Sequence, residues 1–216
     1  MFVTNYFMIG KVSVASSWVA LILSFLLAYL VVRWKYGKPI ANILGDAIFY
    51  FILVWKLSVI VTDFKAVLQF PLSILYFNGG TVGLLLGIVA ASIKVIVGIK
   101  NKQLPPCSSI GLFVGVVIIQ SVYQIGMALF NEGPLMAALI TVIFFSLFAV
   151  GMILWIDQLK EMLHQLIFLM MGLQLFVAVL QPAGLFQAPM FAAVCLGIVL
   201  TILISLERKY DLEAVQ

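Results

Sequence analysis

Three ionisable side chains lie inside or beside long apolar stretches of this chain, where a charge is costly. Asp46 and Lys56 share one stretch, and Glu132 follows another, next to Asn131. A charge at the centre of a bilayer costs about 2.5 to 3.5 kcal/mol on insertion scales. An ammonium binds anions, and a carboxylate accepts a proton or holds the ammonium. The spacing of Asp46 and Lys56 corresponds to about 15 Å along a helix, so these two do not pair directly.

Each of these charges also has an ordinary explanation. Lys56 is close enough to Asp63, at the end of its stretch, for its ammonium to snorkel towards water. Lys94 reads more plainly as a snorkelling residue, near the end of a later stretch. Glu132 precedes Gly133 and a proline, a pairing typical of an exposed turn. The sequence leaves the functional and the structural explanations of Lys56 and Glu132 open.

Other chemistry is sparse. Cys107 and Cys195 fall at different depths of their stretches, so we interpret them as small buried hydrophobes rather than a disulfide. His164 is the single histidine and reads as an interfacial residue. The sequence has no CxxC, histidine pair or carboxylate cluster at ligand spacing. We therefore expect no metal and no other cofactor.

Composition excludes a soluble protein. Hydrophobic residues make up 65% of the 216 residues and charged residues 9%, with a mean hydropathy of +1.25. A globule of this size has too little interior to hide so much apolar surface. The gaps between the apolar runs are too short for a separate soluble domain, so we expect a single transmembrane domain over residues 1–216.

The elements that would position these side chains are apolar runs near the ~20 residues that span a bilayer. Because a bilayer requires backbone groups to bond within each segment, the runs should be helices. The predicted fold is all-α, an integral membrane bundle of seven transmembrane helices. Their predicted ranges are 12–32, 42–61, 81–99, 107–129, 135–156, 162–180 and 189–206.

Lysine and arginine residues are concentrated in every second gap between the apolar runs, and this pattern predicts how the chain is oriented in the membrane. They are short groups beside the runs rather than a patch interleaved with aromatics, so we expect no nucleic-acid partner. By the positive-inside rule the amino terminus lies outside and the carboxyl terminus is cytoplasmic. The gaps assigned to the cytoplasm contain Arg33, Lys35, Lys38, Lys100, Lys102, Lys160, Arg208 and Lys209.

Residues 70–80 are too apolar for a solvated loop and too short to span a bilayer. We predict a short membrane-embedded arm between helices 2 and 3. The Gly79-Gly80 pair permits a tight turn. Gly83 and Gly87 form a GxxxG step, which allows a neighbouring helix to approach closely.

The order of these features resembles the bacterial prolipoprotein diacylglyceryl transferases. That family also has seven helices, an outside amino terminus and a membrane-embedded arm. The likeness covers most of the chain, although no motif is intact. It rests on Ile9-Gly10, Val54-Trp55-Lys56, Pro71-Leu72 with Gly79-Gly80, Tyr123-Gln124-Ile125-Gly126 with Phe130-Asn131-Glu132, and the segment from Gln174 to Gln181.

The resemblance implies a bacterial cytoplasmic membrane and a transfer of diacylglyceryl from phosphatidylglycerol to a prolipoprotein cysteine. That reaction needs a cationic clamp on the leaving phosphate and a base for the thiol. The candidate catalytic residues are Lys56 and Glu132. The implied lipid-binding residues are Lys56, Asn78, Gly79, Gly80, Gln124, Gly126, Asn131, Gln174 and Gln181. We predict that Lys56, Gln124 and Gln174 converge on one cavity.

The chain departs from the family where charge matters most. Gln124, Gln174 and Gln181 replace arginines, and Ala178 replaces a glutamate. A glutamine donates a hydrogen bond but supplies no net charge in a low-dielectric site. The favoured hypothesis is therefore a catalytically degenerate relative, a pseudoenzyme that binds a membrane phospholipid, a lipoprotein signal segment or a membrane partner protein.

Two alternatives remain. The first is an active, divergent transferase that uses Lys56 and Glu132. The second is a small transporter in which Asp46 and Lys56 line a polar path.

Overall fold

The computed structural model describes residues 3–10, 12–70, 79–100 and 108–214, and most of them are helical. A two-stranded antiparallel hairpin, β1 (Tyr6–Ile9) and β2 (Val12–Ala15), precedes the helices. The helices of this described part are α1 (Ser16–Leu57), α2 (Val59–Thr62), α3 (Phe64–Gln69), α4 (Gly80–Lys100), α5 (Ser108–Phe130), α6 (Leu135–Leu159), α7 (Leu163–Leu180) and α8 (Ala188–Ala214), with a 3₁₀ turn at Lys160–Met162.

The all-α prediction holds for most of the described residues, and the short amino-terminal hairpin corrects the predicted start of the first helix. The first helix was expected from residue 12, but it begins at Ser16, and Val12–Ala15 is a strand. Both strands are rich in β-branched and aromatic residues, which favour extended backbone. Gly10 lies between them with φ +65°, a conformation that glycine adopts without strain.

Helix α1 folds back on itself at Gly37. This residue has φ 84° and ψ 176°, and the helical pattern continues on both sides of it. Rings from the two sides meet: Trp18 lies 5.6 Å from Trp55, and Phe25 lies 5.8 Å from Phe51. The two limbs, residues 16–36 and 38–57, are therefore antiparallel. The predicted gap at residues 33–41 is helical apart from this reversal.

Six helical segments of the described chain are long and apolar enough to cross a membrane, with α1 counted together with its continuation. A straight helix of 42 residues would extend about 63 Å, roughly twice the hydrocarbon thickness. The fold is a multi-pass bundle of apolar helices, as the hydropathy pattern predicted. The predicted arm lies outside the described residues over positions 71–78.

Helix α5 occupies the centre of the bundle. Its span is 67% buried, whereas the other spans are at most 39% buried. Phe113, Val114 and Val117 are fully buried in the main core. Gly115 allows close contact with α1, because a Cβ there would lie 2.8 Å from Leu44. The two limbs of α1 therefore pack directly on α5.

Several polar contacts gather at one end of the bundle. Lys35 forms a 3.0 Å salt bridge with Asp157, which joins α1 to α6. Glu207 of α8 accepts the backbone N–H of Ser108, the first residue of α5, at 3.1 Å. The first turn of α5 also packs on the residues around Gly37. The reversal of α1 and the ends of α5, α6 and α8, all next to the predicted cytoplasmic gaps, thus lie together.

The reversal at Gly37 generates a stability prediction. Its φ and ψ fall in a region that is essentially restricted to glycine, and strain there costs about 1 to 3 kcal/mol. We expect Gly37→Val to lower the thermal unfolding midpoint of the detergent-solubilised protein. The matched control is Gly172→Val, because Gly172 has a helical backbone with open space beside it. Equal midpoints for the two variants would show that position 37 does not require glycine.

Candidate functional site

A partly open cavity of about 380 Å³ lies between both limbs of α1, helices α4 and α5, and the start of α8. This volume falls within the range typical of small-ligand sites. The few polar side chains on its walls are Ser17, Thr81, Gln120 and Tyr123. The walls are otherwise apolar, with Trp18, Phe25, Phe51, Trp55, Leu84 and Leu196 among them.

Close helix packing holds one wall of this cavity. A Cβ at Gly83 would lie 2.2 Å from Ser58 Oγ, and one at Gly87 would lie 2.9 Å from the Phe51 backbone oxygen. Only residues without a side chain permit α4 to approach the second limb so closely. The GxxxG step thus seats α4 against the residues that carry Phe51 and Trp55, whose rings stack at 5.8 Å.

Next to the cavity is an amide cluster, formed by buried glutamines of α5 and α7. Gln120 Nε2 and Gln124 Nε2 both donate to Gln174 Oε1, at 2.8 and 2.9 Å. Gln181 Nε2 donates to Gln124 Oε1 and to Thr141 Oγ1, both at 3.3 Å. All five side chains are buried. The cluster links three helices by hydrogen bonds within the hydrocarbon span.

Gln120 connects the amide cluster to the cavity. It lines the cavity, and its Nε2 also donates to the Pro189 carbonyl, another wall residue, at 3.2 Å. Gln174 Nε2 has no hydrogen-bond partner among the described residues. The sequence motifs pointed to Gln124, Gln174 and Gln181 but missed Gln120. The sequence feature that could have identified Gln120 is its spacing of four residues from Gln124, because residues four apart lie on one face of a helix.

Lys56 lies apart from the amide cluster. Its Nζ is 4.0 Å from the centroid of the Trp18 ring, a cation–π distance. Trp18 lines the cavity, whereas Lys56 lies with Phe49 and Leu53 in a shallow depression on the second limb. The structure brings Gln124 and Gln174 together by a hydrogen bond, but neither lines the cavity and Lys56 lies apart from both, so the predicted convergence of the three on one cavity is not observed.

Asn131 holds the amino terminus against the end of α5. Its Oδ1 accepts the Thr4 backbone N–H at 2.9 Å and the Ser16 hydroxyl at 2.7 Å, and its Nδ2 donates to the Met127 carbonyl at 3.1 Å. The backbone N–H of Glu132 donates to Thr4 Oγ1 at 2.8 Å. Asn131 thus links the amino-terminal segment to the end of α5 and does not line the cavity. Glu132, the next residue, is exposed.

The remaining glycines from the sequence motifs have separate places. Gly80 lines the cavity with φ +58°. Gly79 is buried, and its N–H donates to the Trp55 carbonyl at 3.3 Å. Gly126 faces Ala20, whose Cβ would lie 2.9 Å from an added Cβ, so it serves the contact between α1 and α5. Asn78 lies outside the described residues.

Asp46 pairs with Lys94 on the surface of the bundle. The Lys94 ammonium lies 3.8 Å from the Asp46 carboxylate. Our interpretation of Lys94 as a snorkelling residue missed this partner, because the register between α1 and α4 cannot be read from either helix alone. Neither residue lines the cavity.

Comparison of the chain with protein-family models, curated proteins and solved structures found no match. The functional inference therefore depends on the chemistry of the cavity and the amide cluster.

The amide cluster predicts a non-additive effect on stability. Gln174→Leu removes the oxygen that Gln124 Nε2 donates to, and an unsatisfied buried donor costs about 1 to 3 kcal/mol. Gln124→Leu/Gln174→Leu removes both groups, so the double variant should unfold at a higher temperature than Gln174→Leu alone. Gln165→Leu, at an exposed position of α7, should cause little change. Additive losses in thermal unfolding would contradict coupling within the cluster.

Proposed function

We propose that this chain is a membrane-embedded lipid-binding protein that resembles the prolipoprotein diacylglyceryl transferases but does not catalyse the transfer. The cavity supports this proposal most directly, because it lies within the helical span and its walls are almost wholly apolar. A hydrocarbon chain matches such walls, whereas a polar solute would lose hydrogen bonds on entering.

Affinity for a lipid in this setting depends on fit. Bilayer lipids are as apolar as the cavity walls, so moving an acyl chain between them gains little from the hydrophobic effect. The favourable free energy of binding comes instead from dispersion contacts between the acyl chain and rigid side chains of the cavity wall. The aromatic pairs supply these rigid side chains. Trp18 with Trp55 and Phe25 with Phe51 provide such walls across the two limbs of α1.

Lys56 gives the site a preference for an anionic headgroup. Its ammonium lies over Trp18, a ring that also lines the cavity. Ser17, Thr81 and Tyr123 add hydroxyl groups to the cavity lining. An acyl chain in the cavity and a phosphate beside Lys56 would suit phosphatidylglycerol.

The amide cluster argues against catalysis. Transfer from phosphatidylglycerol would require preorganised donors aimed at the departing phosphate. Here the Gln120 and Gln124 amides donate to Gln174, and Gln181 donates to Gln124 and Thr141. These donors are neutral and engaged within the cluster, and the remaining donor, Gln174 Nε2, is neutral and lies outside the cavity lining. The exposed position of Glu132 also offers no base within the cavity lining.

The fold-back at Gly37 supports a count of seven spans, since each limb of α1 is near the ~20 residues that cross a bilayer. The membrane that we propose is the bacterial cytoplasmic membrane, as the family resemblance implies. The clustering of helix ends around Lys35, Asp157 and Glu207 supports a common cytoplasmic side for the basic gaps. The amino terminus and Glu132 would then lie outside.

Cysteine labelling tests this orientation. In a background with Cys107→Ser and Cys195→Ser, we expect Glu132→Cys to react with a membrane-impermeant maleimide on intact cells. Gln158→Cys, an exposed position at the opposite end of the bundle, should react only after permeabilisation. The reverse labelling pattern would refute the proposed orientation.

Filling the cavity tests the lipid site. Ala192 lines the cavity, so we expect Ala192→Phe to reduce co-purifying phospholipid several-fold, as counted by native mass spectrometry. The control is Val150→Phe, on a lipid-facing surface that is 52% exposed, which should retain the lipid. Equal lipid content in the two folded variants would contradict binding in the cavity.

A second measurement on the unsubstituted protein separates binding from catalysis. We expect no thioether-linked diacylglyceryl product when it is incubated with phosphatidylglycerol and a prolipoprotein substrate. Product above background would favour the divergent active transferase instead.

A further inference from the structure

The ion pair between Asp46 and Lys94 lies on the outer surface of the bundle. The two side chains are 61% and 45% exposed, so neither is enclosed by its own chain. The Lys94 ammonium is also 5.6 Å from the centroid of the Tyr50 ring. The pair joins the second limb of α1 to α4.

Both charges lie within the apolar spans. Asp46 is roughly 13 Å along the helix from the reversal at Gly37, and Lys94 is roughly 9 Å from the end of α4 at Lys100. Both residues therefore lie inside helical segments that are apolar and long enough to cross a membrane. Charged groups at membrane depth normally face protein or water rather than lipid tails.

We propose that this face is the interface between two copies of the chain. An interface with two-fold symmetry pairs residue i with residue j and residue j with residue i. A patch with one cation and one anion side by side is complementary to itself under that symmetry. Asp46 of each copy then faces Lys94 of the other, and all four charges are surrounded by protein.

The surroundings of the pair suit helix–helix packing in a membrane. Val89, Ile93 and Val97 of α4 follow one another along this helix, with exposures of 53%, 56% and 47%. Phe49 of the second limb is 60% exposed beside Asp46 and Tyr50. These apolar side chains supply the van der Waals contact that drives association of helices in lipid.

Charge reversal provides a sharp test. In vesicles of phosphatidylethanolamine and phosphatidylglycerol, we expect single-molecule photobleaching of the labelled protein to show dimers. Asp46→Lys alone, or Lys94→Asp alone, places like charges opposite each other and should lower the dimer association constant about tenfold or more. Mixing the two single variants restores opposite charges, so heterodimers should form.

Two controls keep the experiment decisive. Lys65→Asp reverses an exposed charge in α3, outside the proposed interface, and should leave the dimer fraction unchanged. Asp46→Lys/Lys94→Asp restores the pair within one chain and should recover dimers, which also shows that the substituted protein folds. Monomers of the unsubstituted chain at every density, or dimers in both single variants, would overturn the proposal. So would a reversal that changes only the bound phospholipid, since the patch would then hold a zwitterionic headgroup.

Discussion

A polar group within a bilayer must find its hydrogen-bond partner inside the protein, because the hydrocarbon offers none. This constraint explains the position of α5. Gln120 and Gln124 of that helix would be costly on a lipid-facing surface, and both donate to Gln174 of α7. The resulting cluster holds α5, α6 and α7 together through side chains as well as through packing. Hydroxyl groups elsewhere follow the same rule locally, since Thr201 donates to the Gly197 carbonyl of its own helix.

The need for internal hydrogen-bond partners also explains why the buried amides form a cluster beside the cavity while most of the cavity lining is apolar. Because the amides are hydrogen-bonded to one another, Gln120 is the member of the cluster that reaches the cavity lining, where it also donates to Pro189. The remaining walls carry mostly rings and aliphatic side chains. A cavity of this kind selects for the shape of a hydrocarbon chain more than for polar groups. The cavity lining of the described residues has no charged side chain, and the Lys56 ammonium lies beside it, over the Trp18 ring.

The sequence predicted the helices well where length and hydropathy decide the structure, and α4 to α7 begin and end close to the apolar runs. It missed the amino-terminal hairpin, because Val12–Ala15 is short and merges with an apolar run that suits a helix equally well. Of the three residues predicted to converge on one cavity, Gln124 and Gln174 hydrogen-bond to each other beside it, and none of the three lines it. The positions of Lys56, Asn131 and Asp46 depend on the register between helices, which no single helix sequence specifies.

The buried cluster is built from neutral glutamine amides rather than charged groups, and this has a physical consequence. A guanidinium in this position would need a counter-charge or a bound anion, because an isolated charge at low dielectric is unstable. Gln124 and Gln181 instead donate to other amides of the cluster, and Gln174 Nε2 is its one buried donor without a partner among the described residues. Neutral amides therefore link α5, α6 and α7 without the counter-charge that a buried cation would need.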